Sequence, residues 1–312
     1  MKLNLLILNY IAYRKSIGEK FRSNEVSLKA FSKHMGDGID IKNVSTKKVQ
    51  DFLYGNAPVT RTWFGKYSAL KGFYEYAIAR KFAVLSPLPT ILPKRPPIFI
   101  PYIYTRAELQ RLFKTAFTYQ RNWRHMEPYM VSKLLLVLYA TGLRLGEALA
   151  LTMKDVNIFQ SVITVRQTKF YKSRLVPFGC QLKTEIIKYV KWRKKRKFSQ
   201  GEDSSFFYGK ENEALKMATV EKVFRQICKH AKILRTDGSR YQPRLHDLRH
   251  TFSVHRLLSW YQENDDVQQL LPVLSVYLGH SCISSTSVYL KMTNDLLQEA
   301  GKKFEKYVKG ET

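Results

Sequence analysis

The chain has 312 residues, 45% of them hydrophobic and 13% aromatic, which provides for two domains with their own cores and excludes a disordered chain. Its 53 Lys and Arg exceed its 25 Asp and Glu for a net charge of +28, and the excess is shared: 17 bases against 6 acids in residues 1–98, and 36 against 19 in the rest. A surplus spread this way points to a polyanion, nucleic acid first, held between two basic lobes, and away from a neutral body with a cationic tail.

Residues 1–85 read as a helical domain that clamps DNA. Apolar positions recur at helical spacing over 3–13, 21–35, 47–54 and 60–84, with Gly36 and Gly38 breaking the second helix from the third. Ser45 or Thr46 caps the third helix and Thr60 the fourth. The opening LNLLIL is too short for the apolar region of a signal peptide, and no small-residue cleavage site follows it. In RTWFGKYSALKGFYEYAIARKF, a stripe of Trp63, Tyr67, Leu70, Phe73, Tyr74 and Ala77 faces the core. Arg61, Lys66, Lys71 and Arg80 are left outside, the first three as candidate DNA contacts. Residues 86–101 then hold six of the eleven prolines, which predicts an extended, semi-rigid linker.

A second domain covers 102–312. Thr105 and Glu108 form a capping box, and helices are expected over 105–118, 127–140 and 144–153. LLLVLYATGLRLGEALAL at 134–151 is the longest apolar run, but Arg144 and Glu147 mark it as a buried helix and not a membrane span. SVITVRQTK and SRLVPF on either side of FYK predict a short hairpin. Helices resume over 181–196, 216–232, 246–260, 266–278 and 283–308. The expected fold is thus mainly α with a small β-hairpin or sheet. The basic run KWRKKRK at 191–197 reads first as a solvated helix end that favours the helix dipole, and second as a phosphate contact. Cys180, Cys228 and Cys282 are odd in number and far apart, which gives neither a disulfide framework nor a zinc spacing and predicts a reduced, cytoplasmic protein.

If the polyanion is cut, the chemistry sets requirements. Fixed cations must meet the non-bridging oxygens, a nucleophile must stand on one side of phosphorus, and a proton donor must serve the leaving oxygen. Metal-dependent nucleases hold two ions with clustered carboxylates, whereas the one adjacent acidic pair here, Asp265–Asp266, lies in a loop-like stretch. Cations and protic groups do recur in the second domain. Arg144 follows a glycine turn with Glu147 three residues on. The hairpin loop carries Lys169, Lys172 and Arg174, the last two also candidate DNA contacts. RLHDLRHTF sets His246 and Arg249 on one helix face, with His250 four residues after His246, a metal pair or a helix surface. LGHSCISSTSVYL carries His280 and Tyr289. Each alone reads more simply as structure.

In order and together, these motifs resemble the tyrosine recombinases, or phage-type integrases, from about residue 102 to 308. The family's pattern appears as Arg144 and Glu147 in TGLRLGE, Lys169 opening KFYKSRLVPF, His246 and Arg249 as H-x-x-R, and His280 followed nine residues later by Tyr289. The resemblance implies that Arg144 and Arg249 clamp the scissile phosphate and that Tyr289 attacks phosphorus to give a 3′-phosphotyrosyl bond. It implies further that Lys169 protonates the leaving 5′ oxygen, His246 helps take the tyrosine proton, His280 bonds the phosphate and Glu147 supports the arginines. No cofactor and no metal are implied, because ester exchange conserves bond energy. The implied partners are double-stranded DNA, further copies in a tetrameric synapse and sibling recombinases, with no membrane. A helix over 295–308 would carry Leu296, Leu297, Ala300, Phe304 and Val308 onto a neighbour or onto its own core.

The chain departs from the family's pattern twice. His246 to His280 spans 34 residues, with the extra length near 259–274 around Pro272. Phe170 and Tyr171 occupy a turn that often carries glycine, which leaves Lys172 as the alternative general acid. Other readings are a DNA-binding accessory protein or regulator without strand exchange, type IB topoisomerase-like relaxation, and a metal-dependent nuclease or transposase.

Overall fold

The computed structural model describes residues 1–36, 38–55, 58–96, 99–118, 126–166, 173–196, 201–209, 213–239, 241–280, 282–291, 298 and 301. The chain divides into two compact units, Met1–Phe99 and Ile100–Thr312.

The first unit has four helices among its described residues: α1 (Leu3–Ser16), α2 (Arg22–Met35), α3 (Thr46–Tyr54) and α4 (Arg61–Ala79). Their apolar stripes meet in one core around Leu6, Leu28, Phe31, Val49, Trp63, Leu70 and Phe73, and α4 packs on the other three. Ser45 caps α3 by accepting from the Lys48 N–H at 3.3 Å, and Thr60 caps α4 by accepting from that of Thr62 at 3.3 Å. Helix α4 stops five residues before the predicted end. Lys81 takes a left-handed φ of 61°, so Phe82 N–H turns back to the Ala77 carbonyl at 2.9 Å and Lys81 N–H to that of Ile78 at 2.9 Å. This is a Schellman stop built without glycine, so no residue announces it in the sequence. The Pro-rich stretch lies back on the same helix. Tyr67 Oη donates to the Pro89 carbonyl at 3.4 Å, and the Arg95 guanidinium sits 5.5 Å over the Phe64 ring.

The second unit runs α5 (Arg106–Thr118), α6 (Pro128–Thr141), α7 (Leu145–Leu149), β1 (Val156–Asn157), β2 (Val162–Val165), β3 (Arg174–Pro177), α8 (Cys180–Lys194), α9 (Met217–His230), α10 (Asp247–Gln262), α11 (Val267–Leu278) and α12 (Ser284–Ser287). It is mainly helical with one small antiparallel sheet, as the sequence predicts. The sheet order is β1-β2-β3, with Ile163 opposite Val156 on one side and Val176 on the other, so one face buries Ile163, Val165 and Val176. Helix α6 is apolar nearly all round because α5, α8 and α10 cover it. Thr105 and Glu108 form the expected reciprocal box at the start of α5: Thr105 N–H donates to the Glu108 carboxylate at 2.9 Å, and Glu108 N–H to Thr105 Oγ1 at 3.2 Å. No described helix is long and apolar enough to cross a membrane.

Three expectations change. Strand β1 is unforeseen. Helix α7 ends at Leu149 and not 153, because Thr152 opens a new turn in which its N–H and hydroxyl both donate to Asp155, at 3.0 and 2.8 Å. Of the helix expected over 283–308, the first described residues form a single α turn, α12, and then a tighter 3₁₀ turn over Val288–Lys291, and most of the remainder lies outside the described residues. The expected docking face at Leu296, Leu297, Ala300, Phe304 and Val308 lies outside the described residues. The long 259–274 segment is the end of α10, a turn and the first half of α11. Asn264 turns the chain with a φ of 61°, and Asp266 caps α11 by accepting from the N–H groups of Gln268 and Gln269. Pro272 sits inside α11.

Candidate active site

Two helix ends frame the site, and each ends on a glycine in left-handed conformation. Helix α6 closes at Gly142, φ 61°, where a Cβ would come within 2.7 Å of the Phe252 ring and 2.9 Å of Leu278. Helix α11 closes at Gly279, φ 70°, where a Cβ would come within 2.9 Å of the Arg174 guanidinium. Backbone conformation and close approach both require glycine at these two positions. Arg249, in the first turn of α10 and 2% exposed, joins the two turns: Nη1 donates to the Gly142 carbonyl at 2.6 Å and Nη2 to that of Leu278 at 2.7 Å. Burial first, then the neighbouring Arg144, push its guanidinium down to about 10, which leaves it cationic at neutral pH.

Arg144 follows the first glycine turn as the N-cap of α7, and its side chain is 40% exposed. Its Nη1 donates to Glu147 at 2.8 Å, and its Nη2 reaches the Gly279 carbonyl at 3.4 Å. Glu147 also takes the Arg144 backbone N–H at 3.0 Å and a two-pronged pair from Arg174 at 3.0 and 2.7 Å. Burial alone would raise the Glu147 carboxyl, but the hydrogen bonds and charges of Arg174 and Arg144 outweigh it and bring it down to about 2. Three guanidiniums thus converge with one carboxylate, an excess of positive charge in a partly desolvated place. That is what a phosphodiester gaining charge in its transition state requires.

Tyr289 lies on the 3₁₀ turn after α12 and is 3% exposed, packed with Phe252, Leu274 and Leu278. Its Oη is 3.2 Å from His250 Nδ1. The His246 ring meets His250 edge to face, with centroids 4.9 Å apart. The His280 ring centre is 6.1 Å from that of Tyr289, and His280 Nδ1 pairs with Thr286 Oγ1 at 2.7 Å. All three imidazoles are pushed below the usual histidine range, by burial first. For His250, down to about 4, Arg244, Arg249 and His280 add to it. For His280, also about 4, it is Arg249, Arg144 and Arg174. For His246, exposed as a residue, it is His250 and Arg249.

The structure therefore brings Arg144, Glu147, Arg249, His246, His280 and Tyr289 into one neighbourhood. Lys169 and Lys172 lie outside the described residues. Arg174, read from sequence as a DNA contact, is 9% exposed at its side chain and turned inward, with Nε on the Tyr277 carbonyl at 2.9 Å as well as its fork on Glu147. His250, read from sequence as half of a metal pair or as helix surface, instead meets the tyrosine. The signal was present in its place four residues after His246, on the same face of α10, but only the fold shows which ring meets the tyrosine. Among the first unit's candidates, Arg61 and Lys71 are exposed, whereas Lys66 is half-buried, with Nζ donating to the Phe52 carbonyl at 2.8 Å. In the basic run at 191–197, Arg193 is buried and bonds Ser204 Oγ and the Ser205 carbonyl at 3.0 and 2.9 Å, while Lys191, Lys194, Lys195 and Arg196 are exposed.

Comparison with known proteins gives the family. The profile of the Phage integrase family matches residues 104–295, more than half of the chain. A putative integrase/recombinase of Sinorhizobium fredii, y4rE, is 30% identical over 294 residues, covering 94% of this chain and 93% of its own. The tyrosine recombinase XerC of Staphylococcus aureus is 28% identical over 249 residues, covering 80% of this chain and 76% of its own. Among solved structures, the Tn1549 transposon integrase in complex with transposon right end DNA superposes with a TM-score of 0.70 at 17% identity, over 98% of this chain and 99% of that one. A lambda integrase dimer bound to a core site gives 0.67 at 16% identity, over 94% and 97%. The residues that meet around Tyr289 fall within the matched span, and the chain belongs to the phage integrase family: it is a tyrosine recombinase.

Proposed function

We propose that this chain is a site-specific DNA recombinase that cuts and rejoins duplex DNA through a 3′-phosphotyrosyl intermediate, in integration, excision or transposition of DNA. The observation that carries the reading is Arg249 in the second unit, with Arg144 and Tyr289 both close enough to act on its guanidinium. Arg249 is fixed by two backbone carbonyls, and Arg144 faces solvent from which a phosphate can enter. A guanidinium never deprotonates at neutral pH and grips two oxygens at once, so the two arginines hold the non-bridging oxygens while Tyr289 attacks phosphorus. His280 adds a hydrogen bond to the phosphate. Lys169, with Lys172 as its alternative, gives a proton to the departing 5′ oxygen. The phosphotyrosyl ester keeps the bond energy, so the free 5′ hydroxyl of another strand reverses the step without a cofactor, and the excess of fixed cations stands where other nucleases place metal ions.

Duplex DNA is the partner. The basic surface of the first unit, with Arg61 and Lys71 exposed on α4, supplies phosphate contacts. Lambda integrase forms a dimer on its core site, and the XerH recombinase binds a palindromic difH substrate. Here too several copies act together, four in the strand-exchanging synapse.

The test uses duplexes that the protein itself selects from a random-sequence pool, incubated with it in EDTA and resolved under denaturing conditions. The expected result is a covalent protein–DNA adduct that disappears in Tyr289→Phe. Binding without an adduct would indicate an accessory DNA-binding protein, and cleavage that needs a divalent metal and survives Tyr289→Phe would indicate a metal-dependent nuclease.

A further inference from the structure

We propose that His250, and not the histidine of the H-x-x-R motif, His246, takes the phenolic proton of Tyr289 during attack. This rests on the reading of Tyr289 as nucleophile. The geometry separates the two imidazoles. His246 stands at the N-cap of α10 and His250 four residues on in its first turn, yet it is His250 Nδ1 that lies 3.2 Å from Tyr289 Oη, while His246 meets His250 edge to face with ring centres 4.9 Å apart. A base acts within hydrogen-bond reach of the proton it removes, and a contact of this length in a site without DNA tightens when substrate binds. Tyr289 is only 3% exposed, so bulk water has little access to replace a protein base.

The electrostatic surroundings fit an acceptor. The charged and titratable groups that face His250 among the described residues are Arg244, His246 and Arg249 from its own segment, His280 from the turn after α11 and Tyr289 from the 3₁₀ turn. With no phosphate bound, burial first and then the charges of Arg244 and Arg249 keep the imidazole neutral and its lone pair free. A phosphodiester held by Arg144 and Arg249 brings negative charge that grows as phosphorus becomes five-coordinate, and it offsets the cations at the moment the imidazole must accept. The step balances as follows. The Tyr289 O–H bond breaks and its proton moves to His250 Nδ1, the tyrosine oxygen bonds to phosphorus, and the phosphorus–O5′ bond breaks with the 5′ oxygen protonated by Lys169 or Lys172. In rejoining, His250 returns its proton to the departing tyrosine oxygen.

Two measurements decide it. In the free protein, ¹⁵N-labelled histidine spectra compared with those of Tyr289→Phe report the His250 tautomer. Hydrogen on Nε2 with a bare Nδ1 is expected, and hydrogen on Nδ1 would overturn the assignment. In the second, the wild type first maps its linkage point on a duplex selected from a random-sequence pool, and that bond is then remade with a bridging 5′ sulfur, a leaving group that needs no proton. His250→Asn, which preserves an acceptor at the Nδ1 position but almost no basicity, should slow adduct formation by about 100-fold on both the oxygen and the sulfur substrate. Its rate should rise with pH toward the tyrosine range as hydroxide replaces the lost base. DNA retention and melting temperature measured alongside show whether the variant is folded. Adduct formation within threefold of wild type in folded His250→Asn, or a loss confined to His246→Asn, would overturn the proposal. Wild-type protein that binds but never forms an adduct would overturn the nucleophile reading itself.

Discussion

In Met1–Phe99, two basic residues of α4 stand at the surface, Arg61 exposed and Lys71 loosely paired with Glu75 at 3.9 Å, whereas Lys66 is half-buried. In Ile100–Thr312, Arg249, Arg174 and Arg144 instead turn onto backbone carbonyls and a single carboxylate. The same charge serves two purposes. A surface cation releases counterions from DNA and is nearly free of structural cost, whereas a buried one is fixed in direction before substrate arrives and leaves unpaired partners if it is removed. The difference teaches which arginines suit the proposed chemistry: those whose direction the fold has fixed before a phosphate arrives.

The sharpest way to break that contrast is at Arg249. Replacing it with alanine should lower adduct formation by roughly 10³-fold and, with the Gly142 and Leu278 carbonyls losing their donors, lower stability by about 2–4 kcal/mol. Gel-resolved adduct rates and denaturant melts measure both. Unchanged stability would show that the two carbonyls find other partners.

Glu147→Gln comes next. It leaves Arg174, buried and forked onto that carboxylate, without its counter-charge, at a cost of about 3 kcal/mol. The Glu147 carboxyl sits at about 2 in the folded protein against 4.5 in the unfolded chain, so its stabilisation is complete above pH 4.5 and is lost as pH falls toward 2. Acid melts of the variant should lack that part of the decline.

Histidines act in a window at higher pH. His250 is held at about 4 when folded against 6.5 when unfolded, so below pH 6.5 the unfolded chain binds a proton that the folded one refuses. Stability therefore falls as pH drops from 6.5 to about 4, by up to about 1.4 kcal/mol per pH unit for such a histidine, and levels off below. Calorimetry across that range should show a shallower fall for His250→Asn. An identical slope would mean the imidazole titrates alike in both states.

The smallest stability effects belong to the first unit. Arg61→Ala and Lys71→Ala should each change stability by no more than about 0.5 kcal/mol, yet reduce the salt dependence of DNA binding by about one counterion. A variant that lost stability and left the salt slope untouched would erase the contrast between the units.

Much of the fold and site was legible because glycines and caps punctuate it. TGLR and LGH each place a glycine at a helix end just before a polar side chain, and the structure puts both ends together through Arg249. What stayed illegible needed three dimensions. Arg174 looks in sequence like any hairpin cation, and only its approach to Gly279 and Glu147 shows a brace. His246 and His250 share a helix face, so spacing could not choose between them. The two-residue strand β1 is too short for any period, and the stop of α4 at Lys81 uses a left-handed residue that no glycine announces.

The central claim is that Tyr289 is the nucleophile of a phosphoryl transfer arranged by Arg144 and Arg249. Its most direct test is to digest the covalent protein–DNA adduct with trypsin and nuclease and to identify the linked residue by mass spectrometry. The account predicts a 3′-phosphate on Tyr289, with a free 5′ hydroxyl on the released strand. A linkage through another residue, or to a 5′ phosphate, would contradict it.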